Sequence, residues 1–78
     1  GMMARSKSGH DAGKVYVIIK VEEAYVYLVD GKVRTLDKPK KKKKKHVQLI
    51  KESFDIQGAT DVDIKRWIKI WNKEDNQN

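Results

Sequence analysis

The segment KVYVIIKV at residues 14–21 leads into AYVYLV at residues 24–29, and this pair decides the fold class. In the first run Val15, Val17, Ile19 and Val21 fall on one side of an extended chain, with Tyr16, Ile18 and Lys20 on the other. A period of two, carried by β-branched and aromatic residues, marks a pleated strand. The second run has the same composition. Asp30-Gly31 follows between apolar segments and predicts a type I′ hairpin, whose two central residues need positive φ. VRTL (33–36) then reads as the returning strand. Upstream, MMARS (2–6) fits a short first strand, followed by the Gly-, Ser- and Asp-rich loop SKSGHDAG (6–13). HVQLI (46–50) supplies a fifth strand.

The period changes near the C-terminus. Thr60 is a good N-cap, and Asp63 three residues on completes a capping box with a shortened acid. Ile64, Trp67, Ile68 and Trp71 then share one helical face, which predicts a helix over 61–73. Between strands and helix, KESFDIQGA (51–59) reads as a linker in which Phe54 and Ile56 call for burial. EDNQN (74–78) reads as a frayed tail. Five short strands joined by tight turns cannot cover both faces of a flat sheet. The expected fold is therefore mostly β, a small curled barrel over residues 2–50, with the helix closing one open end or one side.

Seventy-eight residues allow one small domain, with modest burial. The chain has no cysteine, which removes disulfides and thiolate metal sites and fits a reducing, cytoplasmic compartment. Its longest apolar run, 24–29, is far short of a membrane span, and no signal-peptide pattern opens it. Gly1 ahead of Met2 reads as a remnant of tag removal and is set aside. The net charge of +7 is concentrated: Lys38 and Lys40–Lys45 carry it all, and the other eleven basic residues balance eleven acidic ones. A local charge of this kind implies a polyanionic surface met at a defined place.

SKSGHDAGKVYVIIKV resembles a KOW motif, in which a turn, a glycine (here Gly13) and a basic residue (Lys14) precede an alternating strand. The resemblance extends over residues 4–50, through the anchors S-x-x-G-x-D-x-G-K, DG and KPK…KH, to the bacterial KOW-domain RNA-binding proteins and the related KOW-type proteins of the large ribosomal subunit. It implies an SH3-like barrel, RNA as the partner, ribosomal RNA first of all, and a place on the ribosome. Two departures stand out. The family's C-terminal helical extension is usually longer, and the first strand begins abruptly here.

Read from the residues, six adjacent lysines bracketed by strands repel one another, and a compensating partner is expected. Lysine meets phosphate as a point charge and discriminates bases little, so backbone recognition is the expected mode. The ordinary alternative is a solvated loop. In SKSGHDAGK, Gly9 and Gly13 permit close backbone approach, Ser6 and Ser8 can donate to phosphate, and Lys7, His10 and Lys14 are candidate contacts. Asp11 reads better as a turn-forming residue. The candidate RNA-contact residues are Lys7, His10, Lys14, Arg34, Lys38, Lys40, Lys41, Lys42, Lys43, Lys44, Lys45 and His46. In a barrel the two loops could share one end and form a composite surface. Trp67 and Trp71 fit a helix face sealing a core better than a stacking platform. One of Tyr16, Tyr25 and Tyr27 could stack an unpaired base if it faces outward. Catalysis finds no support in any nucleophile motif, phosphate-cradling loop or metal-ligand spacing, and no cofactor or small-molecule substrate is expected. The rival reading is a KOW/SH3-like protein-interaction module of the transcription or translation machinery. Anionic-lipid binding by the lysines lacks a second membrane signal.

Overall fold

The computed structural model describes residues 1–75. Five strands, β1 (Met2–Ser6), β2 (Val15–Val21), β3 (Tyr25–Val29), β4 (Lys40–Lys43) and β5 (Val47–Ser53), form one antiparallel sheet in the order β4-β3-β2-β1-β5. A single 3-10 turn, Lys44–His46, separates β4 from β5. Those two strands are the opposite edges of the sheet, so one turn of chain spanning them requires the sheet to curl round. The result is a half-barrel of the SH3-like kind, followed by one helix, α1 (Asp61–Asp75).

The alternation in β2 divides two apolar clusters between the sheet's faces. Tyr16 and Ile18 point into the curl with Ala4, Val26, Leu28 and Val47. Val15 and Val17 point outward, where Met3 and Val29 join them and Ile64 and Ile68 of α1 cover them. The helix therefore lies along one side of the barrel. Thr60 and Asp63 cap it reciprocally: the Thr60 N–H donates to Asp63 Oδ2 at 3.0 Å, and the Asp63 N–H donates to Thr60 Oγ1 at 3.3 Å. Trp67 stacks on Phe54 with ring centroids 4.8 Å apart, and both pack against the outer cluster. This confirms the helix face as core. β5 continues to Ser53, so the sheet extends into the segment expected to be linker, and Phe54 and Ile56 find the burial they called for. Of the expected frayed tail, 74–75 belong to α1 and 76–78 lie outside the described residues.

The fourth strand is not where the hairpin signal put it. Among the described residues none other than glycine has positive φ, so Asp30-Gly31 cannot form a type I′ turn. Instead Asp30 Oδ1 accepts the N–H groups of Lys32 and Arg34, both at 2.9 Å. Gly31, at φ 79°, lies so close to the first turn of α1 that a Cβ there would collide with the Asp61 carbonyl. VRTL is consequently a crossing segment. Leu36 joins the helix-side cluster and its N–H donates to Asp61 Oδ1 at 2.8 Å. The partner of β3 is the lysine run, in the register Tyr25↔Lys43, Val26↔Lys42, Tyr27↔Lys41 and Leu28↔Lys40.

Candidate functional site

A strand of four lysines at a sheet edge is physically reasonable, because long aliphatic stems cover neighbouring apolar residues while the ammonium groups reach for water or an anion. Pairing with β3 gives successive lysines opposite environments. Lys40 and Lys42 share a face with Leu28 and Val26, toward the inner cluster, while Lys41 and Lys43 share the outer face with Tyr27 and Tyr25.

The inward pair converges on Asp11. Lys42 Nζ donates to Asp11 Oδ1 at 2.7 Å, and Lys40 Nζ donates to Oδ2 at 2.8 Å. Ser6 Oγ adds a third donor at 3.0 Å and the Tyr16 hydroxyl a fourth at 3.2 Å. Lys42 also donates to Ser6 Oγ and to the Ser8 carbonyl, at 2.7 and 2.8 Å, and its side chain is only 9% exposed. Burial by itself pushes the Asp11 carboxyl up, but the hydrogen bonds from Lys40, Lys42 and Ser6 outweigh it and hold the group well below the usual carboxylate range. Tyr16, buried beside that carboxylate, is pushed up to about 12. Asp11 is thus structural, as its residue type suggested, but its carboxylate serves as the counter-ion of the lysine strand, and only its backbone carbonyl, which accepts the Lys14 N–H at 3.0 Å, closes the turn. Part of the compensation that six adjacent lysines require comes from inside the chain.

The outward lysines have a different setting. Lys41 Nζ lies 4.4 Å from the Tyr25 ring centroid and 5.9 Å from that of Tyr27. Lys20, across the sheet from Tyr27, approaches the same ring at 5.3 Å. Glu22 accepts the Tyr27 hydroxyl at 3.1 Å and lies 3.8 and 3.9 Å from Lys20 and Lys41. Next to Tyr25 a shallow hollow is lined by Glu23, Ala24, Lys43, Lys44 and Lys45. Lys41, Lys43, Lys44 and Lys45 are all exposed.

The 6–14 loop and the lysine run do come together. Besides the Asp11 bonds, the Lys7 N–H donates to the His46 carbonyl at 2.8 Å, which ties the loop to the 3-10 turn. Gly13, at φ 88°, has open space where a Cβ would stand, so the backbone conformation and not close packing calls for glycine. Lys7 and His10 are exposed, and His46 is half-buried. Lys38 is exposed in the approach to β4. Lys14 and Arg34 belong elsewhere: Lys14 lines a groove with Lys32, Lys65 and Lys69 beside α1, and the Arg34 carbonyl closes the Asp30 turn.

Sequence reading did not single out Glu22 or the Lys32–Lys65–Lys69 grouping, and it named Tyr25 and Tyr27 only together with Tyr16, without pairing them on one face. The i, i+2 spacing of Tyr25 and Tyr27 within a strand was the available signal for one shared face. The lysine grouping joins two lysines of α1 to Lys32 and Lys14 from two separate loops, and a linear charge count does not bring these together. No known family model matches this chain, and no curated protein matches it.

Proposed function

We propose that the protein is a KOW-type RNA-binding domain that grips the phosphate backbone, ribosomal RNA being the first candidate partner, through the β4 edge and the 3-10 turn that follows. The observation that carries the reading is the cluster of four exposed lysines, Lys41, Lys43, Lys44 and Lys45, on the β4 edge and the 3-10 turn, to which the loop bearing the exposed Lys7 and His10 is hydrogen-bonded. Point charges fixed at strand and turn spacing suit a regular polyanion better than a small acidic ligand. Lys40 and Lys42 serve this reading indirectly, by locking the edge onto the 6–14 loop through Asp11. Cytoplasmic, ribosome-associated localisation and a non-enzymatic role belong to the same proposal.

The test is affinity for a structured RNA measured over a range of salt. Four phosphate contacts at ~0.7–0.9 each give a slope of log affinity on log salt of about −3 to −3.5. Changing Lys43, Lys44 and Lys45 together to Gln should bring that slope to about −1. A slope already near zero in the unaltered protein would refute the proposal. A second reading, a protein-interaction module, draws on an apolar hollow at the mouth of the barrel, where Met2, Val21 and Leu49 are exposed around Ile18 and Val47. Pull-down of ribosomal proteins from RNase-treated extract, lost on Leu49→Asp, would favour it.

A further inference from the structure

The outer face of β3 and β4 carries features that a phosphate grip does not use. Tyr25 and Tyr27 are half-buried, lie two residues apart on one face of the sheet, and have ammonium groups on their rings. Tyr16, the other tyrosine of the sheet, is buried inside the curl. Among the described residues no hydrogen bond fixes the Tyr25 hydroxyl, whereas the Tyr27 hydroxyl is held by Glu22. The hollow beside Tyr25 is bordered by three consecutive lysines. A flat aromatic ring on a rigid sheet, next to a row of cations, is the pairing by which proteins hold unpaired nucleotides: the ring takes the base and the cations take the flanking phosphates.

We infer that Tyr25 is a base-stacking residue and that the hollow bounded by Tyr25 and Lys43–Lys45 takes an unpaired nucleotide of a bound RNA strand. This rests on the RNA reading above and sharpens it, from phosphate contact in general to a loop, bulge or single strand. Lys41 fits the scheme as a displaceable cap. Its side chain is half exposed, and its ammonium covers Tyr25 at 4.4 Å when no base is present. An exposed cation–π contact is worth less than a base stacked on an aromatic ring, so a base can replace it. The released ammonium then moves to the phosphate that arrives with the base, and the strand's positive charge stays matched. Tyr27, tied to Glu22 and flanked by Lys20, orients Lys41 and borders the platform without being free to tilt onto a base. Glu22 and Glu23 weaken the local field, but five lysines, Lys20, Lys41, Lys43, Lys44 and Lys45, surround them.

The experiment compares a short oligoadenylate with an RNA duplex of equal length, each titrated against the full chain and its Tyr25→Leu and Tyr25→Phe variants. Tyr25→Leu is expected to weaken oligoadenylate binding by about ten- to a hundredfold, with the duplex changed less than about twofold. Tyr25→Phe, which keeps the ring, should bind both like the unaltered chain. In the unaltered protein, Tyr25 ring protons should shift upfield on adding oligoadenylate, a readout that stands even if Tyr25→Leu fails to fold. An unshifted Tyr25 ring, or equal losses for oligoadenylate and duplex in Tyr25→Leu, would overturn the stacking role and leave the phosphate grip intact. Failure of the unaltered chain to bind either RNA would overturn both.

Discussion

Asp11→Asn is the sharpest perturbation of the lysine strand. The change is isosteric, so packing stays and only the charge leaves. Lys42, with its side chain 9% exposed, and Lys40, at 27%, then face an amide in place of a carboxylate, and one of its two polar atoms presents donors to donors. Removing one partner of a buried ion pair costs about 3–5 kcal/mol, because the remaining charge is left buried and unpaired. A chain of 78 residues has a total stability of about 4–12 kcal/mol at ~0.05–0.15 kcal/mol per residue, so the loss is a large fraction of the whole. At about 4–8 °C per kcal/mol, the melting temperature should fall by at least about 12 °C. Lys42→Gln by itself leaves Asp11 paired with Lys40, Ser6 and Tyr16, and should cost only about 1.5–3 kcal/mol, the range for a hydrogen bond to a charged group. Lys42→Met introduced into the Asp11→Asn protein removes the stranded charge and should restore part of the loss. Lys43→Gln, one residue along on the outer face, should stay within about 0.5 kcal/mol of the unaltered chain. Urea unfolding followed by the fluorescence of Trp67 and Trp71 reads all four variants. If Asp11→Asn lies within about 1 kcal/mol of the unaltered chain, or Lys42→Gln and Lys43→Gln unfold alike, the division of the run into inward and outward lysines is wrong.

Trp67→Ala should destabilise the fold by about 2–3 kcal/mol, less than the ~3–5 of a fully buried ring because Trp67 keeps an exposed edge, while RNA affinity of the folded protein should be unchanged. Titration of the buried hub should bound the stable pH range at both ends. Asp11 is depressed, so its contribution is complete above its unfolded value near ~3.9 and is lost as pH falls from there through the folded value. Tyr16 is raised to about 12, so the native state holds its proton more tightly and stability declines as pH climbs from ~10. Thermal melts across the pH range test both limbs. Tyr16→Phe should remove the alkaline decline, and an unchanged decline would assign it to other groups.

The strands were legible because short runs of β-branched and aromatic residues, apolar on both faces, suit a pleated chain buried on both sides. Val15 and Val17 against Tyr16 and Ile18 gave both the strand and its two clusters, but the expected alternation fails beyond Ile18, where a bulge sets Lys20 opposite Tyr27 on the outer face instead of beside Tyr16 and Ile18. The capping box gave the helix start, and Ile64 and Ile68 its buried face. The fourth strand was not legible for a specific reason. Asp-Gly is a hairpin signal only if the chain turns back at once. Here Asp30 caps its own loop and Gly31 is required by the closeness of α1, a tertiary contact that no local window contains. The lysine run hid its strand character because alternation cannot be seen in a homopolymer: the period of two lies in the partners, Asp11 on one side and Tyr25 with Tyr27 on the other.

The same uniformity bears on how the register of β4 is held. In an ordinary strand a one-residue slip exchanges the buried and solvated faces, and side-chain chemistry forbids it. In β4 a slip presents a lysine to Asp11 in either case, so the side chains of this strand cannot specify their own register. It must be set by fixed points at the end of the run, where the Lys44 N–H donates to the Ala24 carbonyl at 2.9 Å and the His46 carbonyl accepts the Lys7 N–H. One extra lysine inserted after Lys42 should then be absorbed upstream, in the exposed segment around Lys38, with every strand position still a lysine. Stability should change by less than about 1 kcal/mol, and the Asp11 pairs should re-form. One extra valine inserted after Val26 in β3 should behave differently, since it drives buried Val26 or Leu28 to the outer face and should prevent folding. Circular dichroism and urea unfolding of the two insertions decide the point. If the lysine insertion proves as damaging as the valine one, the register of β4 is specified within the strand itself, and its lysines are not interchangeable.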